Sequence, residues 1–491
     1  MNAVVMNEVR QGFYVDSVAL MRISRSISRL KQVDEASLMM GTPANREIMA
    51  DAGLLADEGA AAGGGDLVIA VRAENSAAAK EALSTAIEQL QSPSQKFASG
   101  EEWTPRTLRS AVSAFPSANV ALISVPGEFA AAEARKAIRL GLHAMIFSDN
   151  VSIAEEIQLK REAQSLGLLV MGPDCGTAII SGTPLAFANC VSRGPVGIVG
   201  ASGTGIQEVS CQIERMGGGI LHAIGVGGRD LKSEVGGTTT LMAIDALASD
   251  PDIESIVVIS KPPGDDVAKK VIERLGIAGK PAVVCFLGSA ALPLPANVLQ
   301  AYTLKDAAAA AVGKGFEQSE RPGLPTRSGG IAGLYSGGTL CAEAQVILRD
   351  AGLPINSNAP IAKVAKGREG SYVLLDLGDD EFTRGRPHPM IDPGVREAFL
   401  IEALGRDDIG VVLADVVIGQ GAHSDPALPL ADIVRAHGRR SGPIVISAVT
   451  GTEQDSQVLS DQESKLCKAG IVVASSNADA ARWALAVAGR G

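Results

Sequence analysis

Residues 195–209, PVGIVGASGTGIQEV, hold the pattern that decides the fold. An apolar run, Pro195–Val199, goes straight into Gly200-Ala201-Ser202-Gly203-Thr204-Gly205 and then into a segment whose Ile206, Val209, Ile213 and Met216 fall on one helical face. A buried strand, a small-residue turn and an amphipathic helix make the basic unit of a parallel α/β sheet. Residues 332–344, AGLYSGGTLCAEA, repeat the scheme, with Ser336-Gly337-Gly338-Thr339 as the turn. Such a turn exposes unpaired amides at the positive end of a helix, and its glycines let an anion come close. Ser202, Gly203, Thr204, Ser336, Gly337, Gly338 and Thr339 are therefore the candidate reacting-group ligands. The plainer alternative is that Ser202 and Thr204 only cap a helix. Neither turn is a Walker loop or a complete G-x-G-x-x-G fingerprint.

Outward from these two units the same alternation continues. Strands are expected at Asn119–Val125, Ala144–Phe147, Gly167–Met171, Gly219–Val226, Ser255–Ile259, Pro281–Leu287, Ile331–Tyr335, Val373–Leu377, Gly410–Leu413 and Pro443–Ser447. Helices separate many of them. Upstream, Ile23, Ile27 and Leu30 mark a helix, and Ala36–Met40 and Asp66–Val71 mark strands of a small α/β module. Gln91–Pro105 and Arg321–Ser328 read as linkers. Four segments result: 1–95, 96–192, 193–325 and 326–491.

Two further loops lie at strand ends, where α/β proteins place ligands. They are Gly172-Pro173-Asp174-Cys175 and Gly227-Gly228-Arg229, the latter with a guanidinium able to grip an anion in bidentate fashion. The net charge of −11 and the 3% of aromatic residues argue against nucleic-acid binding. Six scattered cysteines form no C-x-x-C pair, so neither a zinc ribbon nor a redox motif is expected, and no metal site is read. The chain shows no signal peptide and no apolar run of about 18 residues, so it reads as cytoplasmic and off the membrane.

The combined motifs resemble a family. VPGEFAAAEARKAIRLGLHAMIFSDN, MGPDCGTAII, GIVGASGTGIQEV, IGVGGRDL and LMAIDALASDPDIESIVVISKPPGDD are similar to the succinyl-CoA synthetase α subunit, and specifically to the FdrA group of acyl-CoA-synthetase-like proteins. LYSGGTLCAEA and YVLLDLGDDEFTRGRPHPMIDP resemble the C-terminal domain of the β subunit. The resemblance implies an α/β fold with a Rossmann-like CoA-binding-type domain at 96–192 and flavodoxin-like ligase domains at 193–325 and 326–491, behind the N-terminal module. Val125 and Pro126, with Gly172, Pro173, Asp174, Cys175, Gly205, Gly227, Gly228 and Arg229, would then contact substrate or CoA. One departure stands out. The strand PAVVCFLG is followed by SAALPLPANVLQ, and no histidine lies between His222 and His388, so the phosphohistidine of such synthetases is missing. The resemblance further implies an oxamate carbamoyltransferase-like subunit that uses free phosphate or carbamoyl phosphate with companion subunits in an oligomer. The alternatives are an acyl-CoA ligase subunit that takes CoA, or a non-catalytic module binding CoA or a metabolite.

Overall fold

The computed structural model describes residues 3–15, 17–91, 105–315, 319–320, 322–383, 387–439 and 441–489. Most of the Gln91–Pro105 linker, and Arg321, lie outside the described residues. Two compact units form, the first comprising residues 1–118, 124–130 and 380–387, the second the remainder.

The first unit holds β1 (Val4–Arg10), α1 (Ser17–Ser28), β2 (Val33–Met40), α2 (Pro43–Asp51), α3 (Asp57–Ala60), β3 (Leu67–Ala73), α4 (Ser76–Gln91) and α5 (Leu108–Ala114). Its three-stranded antiparallel sheet runs β1-β3-β2. The central strand LVIAVRA is buried on both faces, and Leu67, Ile69 and Val71 pack with Leu20, Ile27 and Ala82. β1 was not read from the sequence, because VVMNEVR alternates poorly and every residue of it is half-buried.

The second unit opens with β4 (Val120–Ile123), α6 (Gly127–Arg139, which begins in the first unit), β5 (His143–Ile146), α7 (Ile153–Ser165) and β6 (Val170–Met171). These strands form a parallel sheet, β4-β5-β6. A hairpin follows, β7 (Thr177–Ile180) and β8 (Thr183–Ala186). Then come β9 (Val196–Gly200), α8 (Gly203–Arg215), β10 (Ile220–Gly225), α9 (Thr238–Ser249), β11 (Ser255–Ser260), α10 (Asp265–Ala278), β12 (Ala282–Phe286), β13 (Val298–Gln300) and α11 (Leu304–Ala311). The seven-stranded sheet is ordered β13-β12-β11-β9-β10-β7-β8. β9 to β13 are parallel, and the hairpin closes one edge antiparallel.

A second seven-stranded sheet is built from β14 (Gly330–Tyr335), α12 (Gly338–Asp350), β15 (Asn356–Ser357), β16 (Ala365–Lys366), β17 (Tyr372–Asp376), α13 (Asp380–Thr383, in the first unit), α14 (Gly394–Gly405), β18 (Ile409–Val417), α15 (Ala427–His437), β19 (Ile444–Thr450), α16 (Leu459–Lys468), β20 (Val472–Ala474) and α17 (Asn477–Val487). It is parallel throughout, in the order β16-β15-β17-β14-β18-β19-β20.

β9 (VGIVG) and β14 (GIAGLY) are buried along their whole length, as strands covered on both faces must be. Each sits where the order of its parallel strands reverses: β9 lies between β10 and β11, and β14 between β17 and β18. Those are the topological switch points at which α/β sheets open a crevice. One hydrophobic core joins the two sheets, with Ile206, Val209 and Ile213 of α8 beside Leu340, Ala344 and Leu348 of α12 and Ala480 and Ala484 of α17.

Candidate functional site

The first turns of α8 and α12 meet. A Cβ placed on Gly205 would lie 3.2 Å from Thr339 Cγ2, and one on Gly337 would lie 3.0 Å from Thr204 Cγ2. A branched side chain at either position would push the helices apart. The Ser202 and Thr339 hydroxyls hydrogen-bond to each other across this joint. Ser202 is also the N-cap of α8, its Oγ accepting from Gly205 N at 3.2 Å. The capping reading and the convergence of the two turns therefore hold together.

The donors at these turns are unevenly committed. Ser336 N donates to Asp415 Oδ1 at 2.7 Å, and Gly337 N to Asp415 Oδ2 at 2.7 Å. Arg396 Nη2 bonds Asp415 Oδ1 at 2.6 Å and also the Ser336 hydroxyl. Asp415 thus serves as an internal anion for the Ser336-Gly337 turn, and those two amides are taken. The amides of Gly203, Thr204, Gly338 and Thr339 have no acceptor among the described residues. They are the orphan donors that a helix start leaves over.

Around this joint lie Asp376 and Lys261, which the sequence did not single out, and His388, which the sequence offers as a candidate ligand or catalytic group in a polar loop beside Arg384 and Arg386. Asp376 closes β17 and touches the start of α12: a Cβ on Gly338 would come within 2.4 Å of Asp376 Oδ2. Burial pushes the Asp376 carboxyl up to about 6, partly offset by Lys261, which follows β11. His388 Nδ1 accepts from Met390 N at 3.2 Å, so its proton resides on Nε2. Burial holds the imidazole down to about 4, and it is neutral near pH 7. Arg384 and Arg386, its sequence neighbours, lie outside the described residues.

The other expected residues group in two places. Gly172-Pro173-Asp174-Cys175 packs on Gly227-Gly228, where a Cβ on Gly227 would stand 2.3 Å from Pro173 O. Cys175 is buried, its Sγ reaches Gly225 O at 3.3 Å, and burial pushes its thiol up to about 12. Arg229 is given other partners than a ligand: Nε lies 2.9 Å from Glu156 Oε2, and Nη2 donates to Val151 O at 2.8 Å. Glu156 and Asp230 in turn share the buried Lys160 Nζ at 2.8 and 2.7 Å. Arg229 so belongs to a charge network that fixes its loop. Val125 and Pro126 lie in the first unit, in the turn between β4 and α6.

Against known proteins, three family models match. One described as CoA-ligase covers residues 334–487, one described as CoA binding domain covers 191–288, and one described as AllF, heavy metal-associated domain, covers 1–105. The Escherichia coli (strain K12) protein YahF is 40% identical over 496 residues, covering 96% of each chain. The chain belongs to the FdrA family. Its fold is the succinyl-CoA-synthetase-like one, with Rossmann-like and flavodoxin-like α/β parts behind a small N-terminal α/β module. Subunit SauD of an ADP-forming sulfoacetate-CoA ligase from Bilophila wadsworthia (strain 3_1_6) is 29% identical over 36% of this FdrA-family chain and 61% of its own. The α subunit of the ADP-forming succinate–CoA ligase from Methanothermobacter thermautotrophicus is 26% identical over 36% of this chain and 59% of its own. Residues 1–105 of this FdrA member contain no cysteine and no histidine, so the thiolate and imidazole ligands of a heavy-metal site are absent there. No helix among the described residues is long and apolar enough to cross a membrane.

Proposed function

We propose that this chain is a subunit of an acyl-CoA-synthetase-like enzyme that moves an acyl group between phosphate and an acceptor, with the acyl phosphate held at the facing first turns of α8 and α12. The observation that carries the reading is the meeting of these two turns with four uncommitted amides, from Gly203, Thr204, Gly338 and Thr339. Two helix dipoles aimed at one point favour a dianion, and fixed donors stabilise charge that grows as the acyl carbon becomes tetrahedral. The Ser202 and Thr339 hydroxyls can turn from each other toward that ligand.

Support for CoA as the acceptor comes from the CoA-ligase and CoA-binding family matches and from relatives that are CoA ligase subunits. On this reading the acceptor thiol attacks the acyl carbon and phosphate leaves. Companion subunits supply what this chain lacks, as the subunit names of the relatives suggest. A second reading draws on the missing histidine: with no residue to carry a phosphoryl group after β12, free phosphate is the partner, and carbamoyl phosphate made from oxalurate is an acyl phosphate of the right kind. The two differ only in acceptor.

The complex purified from native cells would be given acetyl phosphate or carbamoyl phosphate with CoA, and separately oxalurate with phosphate. Thioester formation supports the ligase reading, and phosphate-dependent carbamoyl phosphate release supports the second. Ser202→Ala with Thr339→Val should weaken phosphate binding by about tenfold, the worth of roughly one hydrogen bond to a charged group. Wild-type complex that binds neither phosphate nor acyl phosphate in calorimetry would sink both readings.

A further inference from the structure

Asp376 is clamped by its backbone and open at its side chain. Asn358 Oδ1 accepts from Asp376 N at 2.9 Å, and Asn358 Nδ2 donates to Asp376 O at 3.0 Å. This grip fixes the end of β17. Only 6% of the residue is exposed. Oδ1 accepts from Gly378 N at 3.1 Å. Oδ2 has no partner among the described residues, and it points at the first turn of α12, hard against Gly338. A buried carboxylate oxygen normally carries two or more hydrogen bonds. Here Oδ2 carries none from the described residues and keeps a path to solvent, at the spot where the Gly338 and Thr339 amides are also unfilled. Asp415, two strands away in the same sheet, shows the contrast: both its oxygens are saturated by Ser336, Gly337 and Arg396.

The cation of this corner is Lys261. It follows β11, whose Ile259 lies 3.3 Å from the Cβ position of Gly205 and whose carbonyl accepts from Ala201 N at 3.0 Å. Lys261 is exposed and makes no ion pair or hydrogen bond with the described residues. The other charged or titratable groups facing Asp376 are Asp379 and Asp415. His388 sits across Gly378, whose Cβ position is 2.5 Å from its Nε2.

We propose that Asp376 is the proton-transfer group of the acyl transfer at this joint, and that Lys261 is the cation that meets the substrate phosphate. The inference rests on the acyl-phosphate reading above. In the forward step the acceptor X–H attacks the acyl carbon. The X–C bond forms, the C–O bond to phosphate breaks, and its electron pair leaves with phosphate. The X–H proton passes to Asp376 Oδ2. In the reverse step protonated Asp376 returns that proton to the departing acceptor. Burial suits the group to both directions by lifting its carboxyl from 3.8 to about 6. Near pH 7 it is chiefly a base, and roughly a tenth of it is acid. Phosphate arriving beside it is balanced by Lys261 and the two helix starts.

The test uses the native complex with wild-type chain, Asp376→Asn, Asp376→Glu and Lys261→Met. Asp376→Asn should lower kcat by about 10²- to 10⁴-fold, the usual worth of a positioned acid–base group. Its phosphate affinity, read by calorimetry with inorganic phosphate, should hold or tighten, since a negative charge is gone. The acid limb of the wild-type kcat profile, near pH 6, should vanish in Asp376→Asn and return, shifted, in Asp376→Glu. Lys261→Met should lose about tenfold in phosphate affinity and keep the limb, moved to higher pH because the cation that lowers the Asp376 carboxyl is gone. Unchanged kcat in Asp376→Asn, with wild type binding phosphate and turning over, overturns this proposal alone. Absence of phosphate and acyl-phosphate binding by wild type overturns the functional reading beneath it. Should Asp376→Asn not fold by circular dichroism, the wild-type profile decides: no acid limb near pH 6 refutes the proposal.

Discussion

Asp415→Asn should destabilise the second unit by about 3–5 kcal/mol, the cost of breaking a buried ion pair from one side. The figure follows from the bonds at risk. Asp415 is 1% exposed and Arg396 5% exposed, so neither charge can turn to water. Asparagine offers one oxygen where aspartate offers two. If that oxygen keeps Ser336 N and Arg396, the new amide nitrogen faces Gly337 N, donor against donor. At least one charge-assisted bond is lost, about 1.5–3 kcal/mol, and Arg396 is left buried without a counter-charge. Arg396→Met with Asp415→Leu should not recover the loss, although apolar replacement often rescues a buried pair. Ser336 N and Gly337 N would then both be orphaned, at about 1–3 kcal/mol each. The assay is urea unfolding of the full chain in a Trp103→Phe background, so that buried Trp483 of α17 reports this unit. A shift worth less than about 1 kcal/mol for Asp415→Asn would refute the argument, since it would mean that Asp415 is not the anion holding the turn.

Glu343 bears on pH. Burial pushes its carboxyl from 4.5 up to about 8, so the folded chain binds this proton more tightly than the unfolded one. Its contribution to stability is whole below about pH 4.5 and is lost as pH rises through about 8. Glu343→Gln should flatten that decline in urea midpoints taken across the range; an unchanged slope would assign it elsewhere. Lys160→Met strips a cation shared by Glu156 and Asp230 and should cost about 3–5 kcal/mol in the same unfolding assay. In native protein near pH 8, iodoacetamide followed by mass spectrometry should label exposed Cys467 well before buried Cys175, Cys211, Cys285 and Cys341. Rapid labelling of Cys175, whose thiol burial pushes up to about 12, would contradict its burial.

Much of the parallel architecture was legible because fully buried strands leave a plain trace. SIVVIS, AVVCF and GIAGLY are apolar without alternation, and small-residue turns follow. The facing of Ser202 and Thr339 could not be read from either loop by itself. It is set by the packing of α8 on α12, since no local pattern encodes which helix starts meet. The hairpin of β7 and β8 went unread: β7 ends MGPDCGTAII, β8 lies just beyond it, and both strands are only four residues long around the turn at Ser181-Gly182. Asp415, Arg396 and Asp376 were missed for a related reason. Asp415 sits inside VVLADVV, where it looks like a blemish in a strand, and only the fold brings it to Ser336, 79 positions away. Arg229 was legible as a loop cation but not as the partner of Glu156, because that pairing joins residues from different strand–helix units.

The seam between α8 and the second sheet has a historical consequence. Glu208 of α8 takes the Thr450 hydroxyl across it, while Glu343 of α12 holds Asn477 Nδ2 of α17 at 2.7 Å on the second-sheet side and Leu304 N of α11 at 2.6 Å on the other. Each of these polar groups is sealed from solvent and has its counterpart on another element. A greasy seam can drift one methyl group at a time, because neighbours repack. This one resembles a key in its lock: a change on one side strands the group opposite until a matching change arrives. Lineages of this family should therefore inherit Glu208 with Thr450, and Glu343 with Asn477, as sets. Replacing α8 alone with that of a distant member should fail, and exchanging Thr450 with it, so that Glu208 keeps its partner, should succeed.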